Sequence, residues 1–344
     1  MSFAERLRSR QNNNLNLLRL LLAAVVALGH GFHILDLPLT SNFLRIPAVG
    51  LFFLLSGLLI SASIQNKSLM DYARRRIARI YPGAWFAIAI SLLLLAPLGL
   101  DVPAKEYFKN SELYEALLRN ASLIKLKLHH SMVFPDSPMP AAINGSLWSL
   151  PFEVMAYLAI VPLFVLGLLR KPFILYLLFL TSYSIVIIDS LALLDLQLPP
   201  ILLTANLMAC YFSLGMAVYA TRHKIPMNTL LALLSLLAIV LSTKINLFNQ
   251  VFLLPFYCYL VIYIGLGIPT ITPNFIQKND ISYGIYLLHF PIFQYVTGFE
   301  LEPFLGLILA ALLILVFAIV SWRFIEKPSM RWAKSKSEKS GNKA

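Results

Sequence analysis

Apolar residues fill this chain in long, nearly unbroken runs separated by short polar connections. Stretches near 15–36, 46–64, 82–100, 149–169, 173–194, 201–220, 226–243, 250–268, 281–298 and 304–324 each approach the roughly 20 residues that a helix needs to cross a hydrocarbon core. None shows the alternation over about ten residues that marks a membrane β-strand. The pattern predicts an all-α, polytopic integral membrane protein of about ten transmembrane helices.

Composition agrees, and charge adds the topology. The 344 residues are 59% hydrophobic and 13% charged, with a mean hydropathy of +0.76, which excludes an ordinary soluble domain of this length. A net charge of +12 suggests nucleic acid only until the basic residues are sorted by side. With the N-terminus inside, Arg6, Arg8 and Arg10, the cluster from Lys67 to Arg79, Arg170, Lys171, Arg222, Lys224, Lys278 and the tail from Arg323 to Lys343 all fall on the cytoplasmic face. The charge therefore encodes orientation, with both termini cytoplasmic and no nucleic-acid partner. The first apolar run is too long for a signal-peptide core and reads as a retained helix. Residues 1–328 form the transmembrane domain and 329–344 a basic cytoplasmic tail. Residues 101–144 form an outer segment whose Tyr107, Phe108, Tyr114, Leu117 and Leu118 alternate with charges, as in an amphipathic helix lying over the membrane mouth.

Ionisable residues inside such runs carry the candidate chemistry, because burying them in lipid is costly enough to imply a use. Arg19 and His30 are separated by three helical turns plus roughly 20°, so they share one face about 16 Å apart along the axis. In the fourth run Ser149, Glu153 and Tyr157 recur every four residues, and in the ninth Ser282, Tyr286 and His289 share a stripe. His30, Glu153 and His289 are expected at overlapping depths. Ser56 and Gly57 allow either ordinary close helix packing or a slot for a narrow ligand. In the basic loop after the second run, Arg76 and Arg79 share a helical face and suit either a phosphate group or anionic lipid.

At these residues the chain resembles the membrane acyltransferase-3 family. Arg19 to His30 is similar to its Arg-x10-His signature, Phe52 to Leu59 to its Ser-Gly-x-Leu helix, and Arg75 to Pro82 to its Arg-Arg-x-x-Arg loop. Ser146 to Glu153, Ser282 to His289 and Glu326-Lys-Pro328 resemble further landmarks in the same order, from Arg19 to Pro328. The resemblance implies transfer of an acyl group, usually acetyl from cytoplasmic acetyl-CoA as co-substrate, to a hydroxyl of an extracytoplasmic carbohydrate or lipid-linked glycan. It places the protein in a bacterial-type cytoplasmic (inner) membrane, and allows a separate extracytoplasmic partner protein to complete the transfer. No metal is expected.

On that reading Arg75, Arg76 and Arg79 hold the phosphates of acetyl-CoA. Arg19 meets the phosphates or the pantetheine arm, and Ser56 lets that arm pass. His30 acts as general base or as acyl-accepting nucleophile, two roles the sequence does not separate. Glu153 orients its ring, His289 and Tyr286 hold the thioester carbonyl or the far side of the site, and Trp148 stacks on a sugar. A competing reading makes Arg19, His30, Glu153 and His289 the relay of a proton-coupled solute transporter or a glycolipid flippase.

Overall fold

The computed structural model describes residues 3–8, 13–38, 46–65, 68–100, 103–135, 137–195, 197–245 and 250–341. Arg10, Lys67, Asp101 and Lys343, which entered the charge pattern and boundaries above, lie outside them. The described residues form helices joined by turns and connecting segments and include no strand. The main helices are α1 (Leu15–Ile34), α2 (Ala48–Ile64), α3 (Leu69–Ala89, continuing to Leu98), α4 (Ser111–Ser122), α5 (Leu150–Val165), α6 (Pro172–Ser190), α7 (Pro200–Ala220), α8 (Thr229–Ile245), α9 (Leu254–Ile262), α10 (Ser282–Thr297), α11 (Pro303–Ser321) and α12 (Lys327–Gly341).

Six helical stretches among the described residues are long and apolar enough to cross a membrane: Leu15–Ile34, Leu69–Leu98, Gly145–Val165, Pro172–Ser190, Pro200–Ala220 and Pro303–Lys336. Ala48–Ile64, Thr229–Ser242 and Val251–Gly267 are apolar but shorter. All fall on runs that hydropathy marked, and α10 falls on another. The protein is thus all-helical with the make-up of a membrane protein.

One local expectation changes. The arginine cluster is no loop: it occupies the first turns of α3, which starts at Leu69 and passes through Pro82. Ser68 caps that start, accepting the Asp71 backbone N–H at 3.2 Å, and Asp71 itself sits in the favourable first turn. The apolar run from residue 82 is therefore the continuation of a helix already under way.

Two compact units make up the chain. The first comprises Met1–Leu22, Leu44–Lys67 and Met155–Lys278. Its tightest contact joins α2 to α7, where Gly57 and Gly215 let the two backbones touch. A Cβ on Gly57 would strike the Phe212 carbonyl, and one on Gly215 would lie 2.9 Å from Leu58 N and 3.1 Å from Gly57 Cα. Of the two readings of Gly57, helix packing is the one realised; its small face is filled by α7 and not open to a ligand. Gly215→Ala is expected to cost about 1–3 kcal/mol through overpacking, seen as a lower unfolding temperature in detergent with the protein still inserted.

Among the described residues, three helices contain a π-turn, in which an extra residue shifts the hydrogen bond from i−4 to i−5. Ala96 N–H returns to Ser91 O, Ile268 N–H to Tyr263 O and Lys327 N–H to Trp322 O. In each case the next residue is proline: Pro97, Pro269 and Pro328. Proline has no N–H, so the carbonyl next in line needs another donor. Tyr107 Oη supplies it to Leu92 O at 2.8 Å, and Asn14 Nδ2 to Ile264 O at 3.0 Å. Asn14, fully buried, also accepts from Ile271 N at 2.8 Å and Thr272 Oγ1 at 2.9 Å, fixing the start of α1 against the end of its π-turn partner within the first unit.

The second unit comprises Ala23–Phe43, Ser68–Val154 and Asn279–Ala344. Here α10 and α11 meet at Gly284, where a Cβ would stand 2.9 Å from Ala318 Cα. The segment that follows α3 folds back lengthwise along it. Tyr107 reaches Leu92 O, Trp85 Nε1 donates to Ala121 O at 3.0 Å and Tyr81 Oη to Ser122 O at 3.4 Å. Leu92 and Tyr81 are about 16 Å apart along a helix axis, so the stretch from Tyr107 to Ser122, α4 included, meets the flank of α3 at points three turns apart. Beyond α4 the chain returns through Lys127, whose Nζ pairs with Glu115 at 2.6 Å. Ser131 donates both N–H and hydroxyl to Glu112 at 2.9 Å, holding its carboxyl below the usual carboxylate range.

Candidate active site

The site of interest lies within the second unit and is built around a proline. Pro291 lies inside α10, and without an N–H it leaves the carbonyl four residues earlier, Leu287 O, in need of a donor. The turn before α5 provides it: Asn144 Nδ2 donates to Leu287 O at 2.8 Å, with Ser146 Oγ 3.3 Å from the same oxygen. Asn144 Oδ1 in turn accepts from Ser146 Oγ at 2.5 Å and Ser146 N at 3.1 Å. Gly145, between them, sits so close to Phe290 that a Cβ would come within 2.6 Å of its ring. The Asn-Gly-Ser sequence is thus a clamp on the turn of α10 before Pro291. Asn144→Ala is expected to destabilise the protein by about 1–3 kcal/mol, the cost of orphaning a buried carbonyl, read as a fall in thermal stability.

The clamped turn carries His289. It is fully buried, its Nε2 lies 2.8 Å from His30 Nδ1, and its Nδ1 lies 3.1 Å from Ile285 O. The two imidazoles are nearly coplanar in orientation, with centroids 5.0 Å apart and an interplanar angle of 10°. Phe290 meets His30 edge to face at 5.4 Å. His30 itself is only half-buried, so it is the member of the pair with a reachable surface. Beside them Tyr286 Oη and Ser149 Oγ share a hydrogen bond of 2.7 Å, and the Tyr286 ring stands 6.1 Å from that of His289. Glu153 lies in the first turn of α5, four residues after Ser149.

The sequence places His30, Glu153 and His289 at overlapping depths; the structure brings His30, His289, Tyr286 and Ser149 together. Two roles shift. The partner at His30 Nδ1 is His289, where a carboxylate, Glu153, was expected to orient the ring. Both nitrogens of His289 are engaged inside the protein, by His30 and Ile285 O, which leaves none for a thioester carbonyl. Trp148 is half-buried next to the clamp and packs edge to face on Phe152 at 6.0 Å.

The basic cluster has a different character. Arg79 pairs with Asp280 at 2.8 Å and Glu326 at 3.7 Å and lies over the Tyr283 ring at 5.4 Å. Ser282 Oγ supports Asp280 at 2.5 Å and Ser321 Oγ supports Glu326 at 2.8 Å. This node ties α3 to α10 and to the turn before α12. It also explains the Glu326-Lys-Pro328 landmark physically, since the π-turn there carries Glu326 inward. Arg75 and Arg76 remain half-buried on α3, with Arg76 over Tyr72 at 5.9 Å. Arg19 and Ser56 belong to the first unit, where both are half-buried. Sequence reasoning missed Asn144, Ser146 and Asp280; the signal for the first two was Pro291 itself, which announces a carbonyl to be satisfied four residues upstream.

The chain is all-helical, carries membrane-length apolar helices and holds a histidine pair inside one of its units. The sequence profile of the acyltransferase-3 family, described as an acyltransferase domain, matches residues 12–323, and the chain belongs to this family. It is similar to an O-acetyl transferase of Shigella phage Sf6, at 28% identity over 81% of this chain and 83% of the relative. It is also similar to Nodulation protein 10 of Rhizobium leguminosarum bv. viciae, at 26% identity over 94% of each. No solved structure matches it. The protein is an O-acyltransferase, and the transporter and flippase readings are not favoured.

Proposed function

We propose that the protein transfers an acyl group, acetyl in the first instance, from cytoplasmic acyl-CoA to a hydroxyl of an extracytoplasmic carbohydrate or lipid-linked glycan. It does so from a cytoplasmic-membrane fold of about ten spans with both termini inside. The observation that carries this reading is the His30–His289 pair, half-exposed at His30 and sealed behind it. The acceptor hydroxyl gives its proton to His30 as its oxygen attacks the thioester carbonyl. The new C–O bond forms, the C–S bond breaks, and the departing thiolate takes the proton back from His30, so that an ester and free CoA thiol result. The Tyr286–Ser149 hydroxyl pair beside the histidines is assigned the stabilisation of charge on the acyl oxygen. Trp148 offers a flat surface to a sugar.

Arg79 being held by two carboxylates, the phosphates of CoA are assigned to Arg75 and Arg76. Changing both to alanine is expected to weaken acetyl-CoA binding about 10- to 100-fold, as loss of charge-assisted hydrogen bonds predicts, in protein that still folds and inserts. Calorimetric titration of detergent-purified protein checks this, and unaltered affinity would put the phosphate site elsewhere. The base role also predicts no acyl label on His30 after incubation with radiolabelled acetyl-CoA; a hydroxylamine-labile adduct there would make it a nucleophile instead.

A further inference from the structure

The histidine pair fixes more than proximity. An N···N contact of 2.8 Å between His30 Nδ1 and His289 Nε2 requires one N–H and one lone pair. The choice between them is made on the far side of His289. Its Nδ1 faces Ile285 O at 3.1 Å, and a carbonyl oxygen only accepts, so Nδ1 carries a proton. His289 is fully buried and both its nitrogens face neutral groups, surroundings that favour an uncharged ring. A neutral ring protonated on Nδ1 has a lone pair on Nε2. That lone pair accepts from His30, which therefore holds its own proton on Nδ1.

We infer that His289 is a positioning residue: it reads the Ile285 carbonyl and, through its own tautomer, locks His30 with Nδ1 protonated and Nε2 bare. The inference rests on the reading of His30 as the base. The chain Ile285 O, His289, His30 does with a neutral imidazole what a carboxylate does in a catalytic triad, where the wrong tautomer costs about 10⁴ in rate. It differs from the triad in one respect. The orienting group is uncharged, so it sets the direction of the reactive nitrogen without supplying a counter-charge. Pro291 and its Asn144–Ser146 clamp belong to the same device, since they hold the stretch of α10 on which both Ile285 O and His289 are carried.

The test uses histidine-nitrogen NMR of the full-length protein in detergent, without donor or acceptor, with His30 assigned by the signal lost in His30→Asn. Wild type is expected to show His30 protonated at Nδ1 and bare at Nε2. His289→Gln places an amide oxygen where Nε2 stood and keeps the Nδ1–H tautomer, whereas His289→Leu moves the proton of His30 to Nε2. In transfer assays the Gln variant stays within about tenfold of wild type, while Leu lowers kcat by about 10²–10⁴-fold with the KM for acetyl-CoA unchanged. A wild-type His30 protonated at Nε2, or a Leu variant with an unaltered tautomer, overturns the inference. Because the tautomer is read on the resting protein, that outcome is separate from any failure of the proposed reaction, which appears only in the transfer assay.

Discussion

His30→Asn will lower acyl transfer by about 10²–10⁴-fold, the usual worth of a positioned general base, while the protein still folds and inserts. Asparagine places an amide nitrogen where Nδ1 of the ring stood, so the hydrogen bond to His289 Nε2, 2.8 Å in the native protein, keeps its donor. The far nitrogen has no counterpart in asparagine. The variant therefore removes the reactive atom and leaves the pairing, which separates chemistry from packing more cleanly than alanine does. Transfer is read as acylated cell-envelope carbohydrate at matched protein levels. A variant retaining more than a tenth of wild-type transfer would exclude His30 as the base.

Arg79→Ala will act on stability. Its guanidinium and the two carboxylates it meets are nearly buried, at 14% for Arg79 against 11% for Asp280 and 1% for Glu326. Removing one member of a buried ionic group strands the others in a poor solvent for charge and costs about 3–5 kcal/mol. The expected result is a large fall in unfolding temperature in detergent and poor accumulation in the membrane. Adding Glu326→Gln to that variant removes one stranded charge and restores part of the loss. If Arg79 served chiefly to hold phosphate, Arg79→Ala would instead weaken acetyl-CoA binding and leave stability untouched.

The long apolar helices are legible in the sequence because the bilayer leaves it little choice: a backbone crossing lipid must satisfy itself, and only about 20 apolar residues in a helix do so. The shared face of Arg19 and His30 follows from periodicity alone. What escapes is long-range pairing. Nothing local in Ser282 to His289 says that His289 will meet a residue 259 positions away and that its second nitrogen will be used by a backbone carbonyl. The arginine cluster reads as a loop because Pro82 and four arginines look like an interruption, although Ser68-x-x-Asp71 already marks a helix start ahead of them. Asp280 reads only as the inner edge of a span, since its partner Arg79 is 201 positions away. The glycine at 57 cannot be decided from sequence, because a close-packed helix and a narrow slot both demand a missing side chain.

The most direct test of this chemistry is transfer of radiolabel from acetyl-CoA into carbohydrate, in membranes carrying equal amounts of wild-type protein or His30→Asn. Ester-linked, alkali-labile label is expected with the wild type and background with the variant, although both retain acetyl-CoA binding. Equal incorporation by the two, or loss of acetyl-CoA binding in the variant, would contradict the placing of acyl transfer at the His30–His289 pair.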